Sequence, residues 1–272
     1  MSPAQNAGPL DAVSIWLRKT KAIIQREIGS RYTGDAIGYL WAYIVPLAWI
    51  AVIYVLFIAL DRRVPIDTDL GSFICSGVVP YLCARYAVNA ILRARTAYRH
   101  ILSFSTVSHN LVAGAVFLLE LGNSILVFLT LLLLNYALFG FFEMHDPLLA
   151  LWGFSLAVGV GGAFGYLMMS LSTIWPALSR ATPIFLRPFF YISGVFYTAN
   201  ELTPRVVELL SWNPLFHGIE VLRSGLFEGY TSPLATNAMP LTFIAICVAI
   251  GFMVQRRRFS GEGADEDASW AI

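Results

Sequence analysis

The chain has 272 residues, of which 57% are hydrophobic and 13% charged, with a net charge of +1 and a mean hydropathy of +0.68. Soluble domains carry about 25% charged residues, so a soluble cytosolic enzyme, a disordered tail and a disulfide-built scaffold are excluded. The near-zero net charge also leaves no global basic field for nucleic acid.

The charge deficit is concentrated in blocks. Asp35 and Asp61 enclose 25 uncharged residues, Glu120 and Glu143 enclose 22, Asp146 and Arg180 enclose 33, and Glu228 and Arg256 enclose 27. About 20 apolar residues suffice for a helix to cross the hydrocarbon core. The first 35 residues are polar and lack the apolar core of a cleavable signal, so entry through the first span is expected.

In chain order, residues 10–30 read as an amphipathic helix. Leu10, Val13, Leu17, Ile24 and Ile28 share a face, with Arg18, Lys21 and Arg26 largely outside it. Such a helix lies in the membrane interface. Six membrane segments follow: Ile37–Leu60, Leu70–Leu92, Leu111–Phe139, Pro147–Trp175, Pro183–Thr198 and Leu234–Val254. The fifth is short and expected to break at Pro188. With the N-terminus inside, the inner segments hold 12 of the 18 basic residues and the outer ones only Arg62, Arg63, Arg205 and Arg223. Both termini are therefore expected in the cytoplasm.

The second inner loop, Arg93–Asn110, carries Arg93, Arg95, Arg99, His100 and His109 among apolar residues. It is long enough for a short helix that anchors to headgroups or docks a soluble partner. Between the fifth and sixth segments, Leu215, Ile219, Leu222 and Leu226 recur at helical spacing, and Pro204 and Pro214 are helix starters. Two short helices dipping into the outer leaflet are expected there, beside protein or a water-filled path.

Ionisable groups inside spans are functional candidates. Arg85 and Glu120 fall at similar depth in the second and third segments, which allows a structural ion pair or a substrate contact. Arg187 falls near the inner end of the fifth segment, where it either snorkels or faces an anionic ligand. Aromatics crowd the first and fifth segments: Trp41, Tyr43, Trp49 and Tyr54, then Phe189, Phe190, Tyr191, Phe196 and Tyr197. An interfacial belt accounts for Trp41, Tyr43, Phe196 and Tyr197. It does not account for mid-span Trp49 and Tyr54, whose faces suit sugar rings in a pore. Gly161 and Gly165 form a G-x-x-x-G pattern, read as close helix packing.

Cys75, Cys83 and Cys247 sit in apolar runs without metal or redox spacing and read as core residues. The chain has no G-x-x-x-x-G-K-[ST], H-E-x-x-H or G-x-S-x-G motif. No catalytic or metal constellation is visible, and pumping would need an external energy source.

Three segments carry a family resemblance: REIGSRYTGDAIGYLWAYIVP at Arg26–Pro46, ISGVFYTANELTP at Ile192–Pro204, and WNPLFHGIEVLRSGLFEGY at Trp212–Tyr230. Together they resemble the membrane subunit of type-2 ABC polysaccharide exporters, most closely the capsular branch of Gram-negative bacteria. O-antigen and teichoic acid permeases share similar segments.

The resemblance implies an all-α integral membrane protein of the inner membrane. It would have six transmembrane helices (36–255), an N-terminal interface and gate helix (1–35), short re-entrant helices after span 5, and a cytoplasmic tail (256–272). Two copies would form a channel for a lipid-linked, usually acidic polysaccharide, with periplasmic and outer-membrane export partners beyond. Trp41, Tyr43, Trp49, Tyr54, Arg85, Arg187 and Tyr191 are then channel candidates. Arg26, Glu27, Arg93, Arg95, Arg99 and His100 would dock two separate ATPase subunits, which bind the ATP and Mg; this chain would hold no cofactor and catalyse nothing. Two rivals are a secondary transporter relaying ions through Arg85 and Glu120, and an intramembrane transferase. No inverted repeat is visible for the first, and no second acid accompanies Glu120 for the second. The acidic tail Glu262–Asp267 matches no motif.

Overall fold

The computed structural model describes residues 9–32, 36–98, 108–140 and 144–269. Its regular elements there are all helical: α1 Pro9–Tyr32, α2 Ala36–Ala59, α3 Leu70–Ala97, α4 His109–Phe139, α5 Pro147–Leu171, α6 Ala177–Ile192, α7 Pro204–Leu210, α8 Pro214–Leu226 and α9 Ala238–Ser269. A 3₁₀ turn, Ala199–Glu201, precedes α7. Four of these are long and apolar enough to span a membrane: α3, α4, α5 and the Ala238–Arg257 part of α9.

Helix starts follow local chemistry. Asp69, Ser108, Asp146 and Asn213 each accept a hydrogen bond from a backbone N–H two or three residues on. These side chains satisfy N–H groups that the first turn leaves without partners. Pro147 and Pro214 occupy the following position, where a missing N–H costs nothing.

The core is built on α5, which packs against α3, α8 and α9. Glycine sets the distance. A Cβ on Gly161 would lie 2.3 Å from the carbonyl oxygen of Ala84, and one on Gly165 would lie 2.8 Å from Cα of Val88. The G-x-x-x-G pattern is thus the seat of α3, as its packing reading expects. At the other end of α5, a Cβ on Gly153 would meet the Leu222 nitrogen at 2.3 Å, and one on Gly225 would meet the Ala150 nitrogen at 2.3 Å. Helix α8 therefore lies backbone to backbone on α5. His145 and Asp146 also donate N–H bonds to the carbonyls of Leu226 and Gly225.

Helix α1 docks through Thr20, Ile23, Ile24 and Glu27, with Ile23 in a cluster with Ile91, Leu111 and Val116, and it leaves Leu17 and Ile28 of the expected interface face exposed. Other sequence expectations are corrected. Pro188 does not break the fifth segment. Helix α6 starts six residues earlier than expected, ends at Ile192 and contains both Pro183 and Pro188. At about 1.5 Å per residue its 16 residues reach about 24 Å, and Gly194 at φ 73° reverses the chain after it. The last helix starts four residues later than expected, at Ala238, and continues through the acidic tail to Ser269.

Candidate functional site

The molecule has two ends. At one, α1 sits beside the C-terminal end of α3 and the N-terminal end of α4 (the α1 end); at the other lie α7 and α8 (the α8 end). Between them, three places gather the polar groups of interest.

The first is the exposed face of α6. Arg180, Ile184, Arg187 and Tyr191 follow one another at spacings of 4, 3 and 4, and all four are exposed. Beneath them lies an aromatic cluster. Phe190 is buried and holds Trp49 at 5.1 Å, Tyr81 at 5.0 Å, Phe196 at 5.1 Å and Tyr191 at 5.6 Å between ring centroids. Tyr191 stacks on Phe196 at 5.8 Å. The Tyr81 hydroxyl donates to the Leu186 carbonyl, which fixes α6 against α3. Because α6 begins at Ala177, Arg187 is ten residues from its start, well along the helix and not near its inner end as expected. Two arginines thus share a stripe with an exposed tyrosine. Their neighbours on the face, Ile184 and Phe185, are 62% and 67% exposed.

Arg85 lies behind that stripe. It borders a cavity of about 160 Å³ together with Tyr81, Phe185, Phe189, Trp212 and Phe243. Glu120 borders a different cavity, on the opposite face of α3, and no ion pair joins the two residues. The structural ion pair allowed by depth alone is therefore not formed. Depth along two helices says nothing about which way each residue faces.

The second place is the cavity that holds Glu120, about 400 Å³ in volume. Glu27 of α1, Trp41 of α2, Tyr86 and Arg93 of α3, and Asn123 and Ser124 of α4 share its wall. Of the docking candidates, Glu27 and Arg93 border it. The Tyr98 hydroxyl donates to Glu27, and the Arg26 guanidinium stands 5.3 Å from the Tyr98 ring centre. Arg95 instead donates to the Ser172 carbonyl at 2.9 Å, at the end of α5, where helix carbonyls attract cations. It ties α3 to α5 and is partly committed to structure. Arg99 and His100 lie outside the described residues.

The third place was not visible in the sequence. Glu220 and Arg223 of α8 are fully buried and form an ion pair at 3.1 Å. The Arg223 Nε donates to Ser76 Oγ (3.1 Å), its Nη1 donates to the Tyr197 carbonyl (2.8 Å), and the guanidinium lies 4.6 Å over the Phe73 ring. The Tyr230 hydroxyl donates to Glu220 Oε2 at 2.6 Å. Burial, reinforced by the Glu220 carboxylate, holds the Tyr230 phenol above its ordinary pKa. Charge counting puts Arg223 among the outer basic residues. In the fold it is a core residue that joins α8, α3 and the Tyr197 turn. The spacing of Glu220 and Arg223, one helical turn, was the available signal.

The remaining channel candidates divide. Trp41 is 57% exposed and Trp49 37%. Tyr43 and Tyr54 are partly buried and pack against core clusters, so they face protein more than open space. Among the described residues no group of His, Cys, Asp or Glu is placed to hold a metal ion.

The chain is thus a helical bundle with four helices long and apolar enough to span a membrane, a glycine-seated α8 and a basic-aromatic face on α6. The model of the ABC-2 type transporter family matches residues 18–227, and the chain belongs to that family. Among its curated relatives, the polysialic acid transport protein KpsM of Escherichia coli is 25% identical, covering 88% of this chain and 92% of the relative. The capsule polysaccharide export inner-membrane protein CtrC of Neisseria meningitidis serogroup B is 23% identical, covering 80% and 82%. The corresponding protein BexB of Haemophilus influenzae is 26% identical, covering 79% and 82%.

Proposed function

We propose that this chain is the membrane subunit of an ATP-driven exporter that moves a lipid-linked, acidic capsular polysaccharide from the cytoplasm to the periplasm. The α6 stripe carries this reading. An arginine at the centre of a bilayer costs about 2.5–3.5 kcal/mol even by the mildest scale. Arg187 stands on an exposed face among Ile184, Phe185 and Tyr191. Facing lipid it would pay that cost; facing a hydrated path it would not. A path lined by guanidinium groups and aromatic faces suits a polymer that is both anionic and built of sugar rings.

In this reading two copies face each other across the stripe, with Trp49, Arg85, Arg187 and Tyr191 along the path. The four apolar helices, α2 and the shorter α6 provide six crossings, and the α8 end opens to the periplasm. The α1 end, with Arg26, Glu27 and Arg93, receives two ATPase subunits that bind ATP and Mg, and both termini are cytoplasmic. Helices α7 and α8 enter the outer leaflet near the exit, where periplasmic and outer-membrane partners would meet the polymer. Hydrolysis belongs to the partner subunits. The names of the relatives favour capsule over O-antigen or teichoic acid.

The test is purification of the tagged chain from its native host in mild detergent. A stoichiometric P-loop ATPase with activity, and a bound anionic glycolipid, are expected. A lone chain without ATPase would overturn the reading.

A further inference from the structure

We propose that a cleft between α4 and α9, away from the α6 stripe, holds one anionic phospholipid. Its acyl chain lies on α5 and its phosphate sits at Arg256 and Arg257. Helices α4 and α9 both pack on α5 and leave between them a cavity of about 480 Å³. Its floor is Gly159, Gly162 and Ala163, and its sides include Gly114, Val248 and Phe252. The polar groups on its wall bond within the chain. Tyr166 donates to Asn110 at 2.7 Å, Trp152 to Asn237 at 3.1 Å, and Ser155 to the Leu151 carbonyl at 2.7 Å. Such a wall offers an occupant dispersion and little else, and an unfilled gap of this kind forfeits that contact.

Length and width select the occupant. The α9 wall runs from Leu241 to Phe252, about 16 Å of helix. Phe252 is about 6 Å of helix from Arg256, so a tail anchored there runs along the whole wall and past the midplane, which lies about 15 Å from the headgroups. Spread over about 16 Å, the cavity averages roughly 30 Å² in cross-section, room for an acyl chain lying along α5. Charge selects the headgroup. Ile244, Val248 and Phe252 line the cleft at i, i+4 and i+8, and Arg256 continues that face one turn beyond, with Arg257 beside it. Both arginines are exposed at the α1 end, where a phosphate in that leaflet lies.

The test is native mass spectrometry of the full chain in detergent, with phosphatidylglycerol and phosphatidylcholine offered in equal amounts. The wild type is expected to retain one phosphatidylglycerol per chain, with about a tenfold preference. Gly114→Leu fills the cleft from a position where a Cβ meets nothing within 4 Å, and should lose the lipid about tenfold. Gly122→Leu, equally open but outside the cleft, should keep it. Val248→Trp blocks the cleft from α9 should Gly114→Leu lower the yield. The double variant Arg256→Gln with Arg257→Gln should keep a lipid but lose the preference. Equal retention in both blocking variants, or an unchanged preference in the arginine variant, overturns the proposal. So does a single-span protein bound in place of lipid and lost on blocking.

Discussion

Helices α6 and α8 are both short, both amphipathic and both carry arginine, yet the fold treats them in opposite ways. Arg223 of α8 has no exposed surface and is held by a carboxylate, a hydroxyl, a carbonyl and a ring. Arg187 of α6 stands exposed beside Tyr191. The difference separates two reasons for a charge in an apolar helix. A guanidinium paired inside its own chain is a fastener, because burial is compensated where it sits. One left on an apolar surface implies water, substrate or another subunit opposite. Residue type and hydropathy do not distinguish these cases, but partners do.

The strongest test of that contrast is to break the fastener. Glu220→Ala or Arg223→Leu leaves one buried charge uncompensated and should cost about 3–5 kcal/mol, read as a lower melting temperature in detergent and a fall in membrane protein level. If either variant is as stable as wild type, the pair is not structural and α8 joins α6 as a site. Next comes the seat of α8. Gly153→Val puts a branched side chain where even a Cβ falls 2.3 Å from the Leu222 nitrogen. Overpacking of this kind should cost about 1–3 kcal/mol in the same melt.

On α6 the prediction reverses. Arg187→Ala should leave the melting temperature unchanged and lower surface polymer about tenfold, a change of about 1.4 kcal/mol. Equal losses of protein level and polymer would make Arg187 a fastener too. Arg93→Glu, at the rim of the Glu27 cavity, should reduce the ATPase recovered with the chain about threefold, roughly 0.7 kcal/mol, with insertion intact. The smallest effect is expected for the Arg62–Glu201 pair, 3.5 Å apart with both side chains about a third exposed. Solvent screening limits it to about 0.5 kcal/mol, so Glu201→Gln should barely move the melt.

The elements were largely legible in the sequence because each rests on local rules. Uncharged runs locate α2 through α5 to within a few residues at their starts, and Pro204 and Pro214 open α7 and α8 as expected. The fifth segment departs from the expectation that proline breaks a helix. Pro183 and Pro188 instead sit within α6, which Tyr81 braces from α3. The site was legible only in part. Trp49 and Tyr191 both pack on Phe190, and Arg187 stands one turn before Tyr191 on the exposed face of α6. Tyr54, another channel candidate, is partly buried against the core.

The sequence by itself determined that this is a helical membrane protein with an amphipathic start and no P-loop of its own, because hydropathy, charge spacing and motifs act over one or two helical turns. Only the tertiary structure decided which face of α1 docks, that Arg85 and Glu120 point to opposite sides of α3, and that Arg223 is a core residue while Arg187 is not. Those outcomes depend on where glycines let helices touch and which neighbour then supplies a partner, and neither is encoded within a single helix.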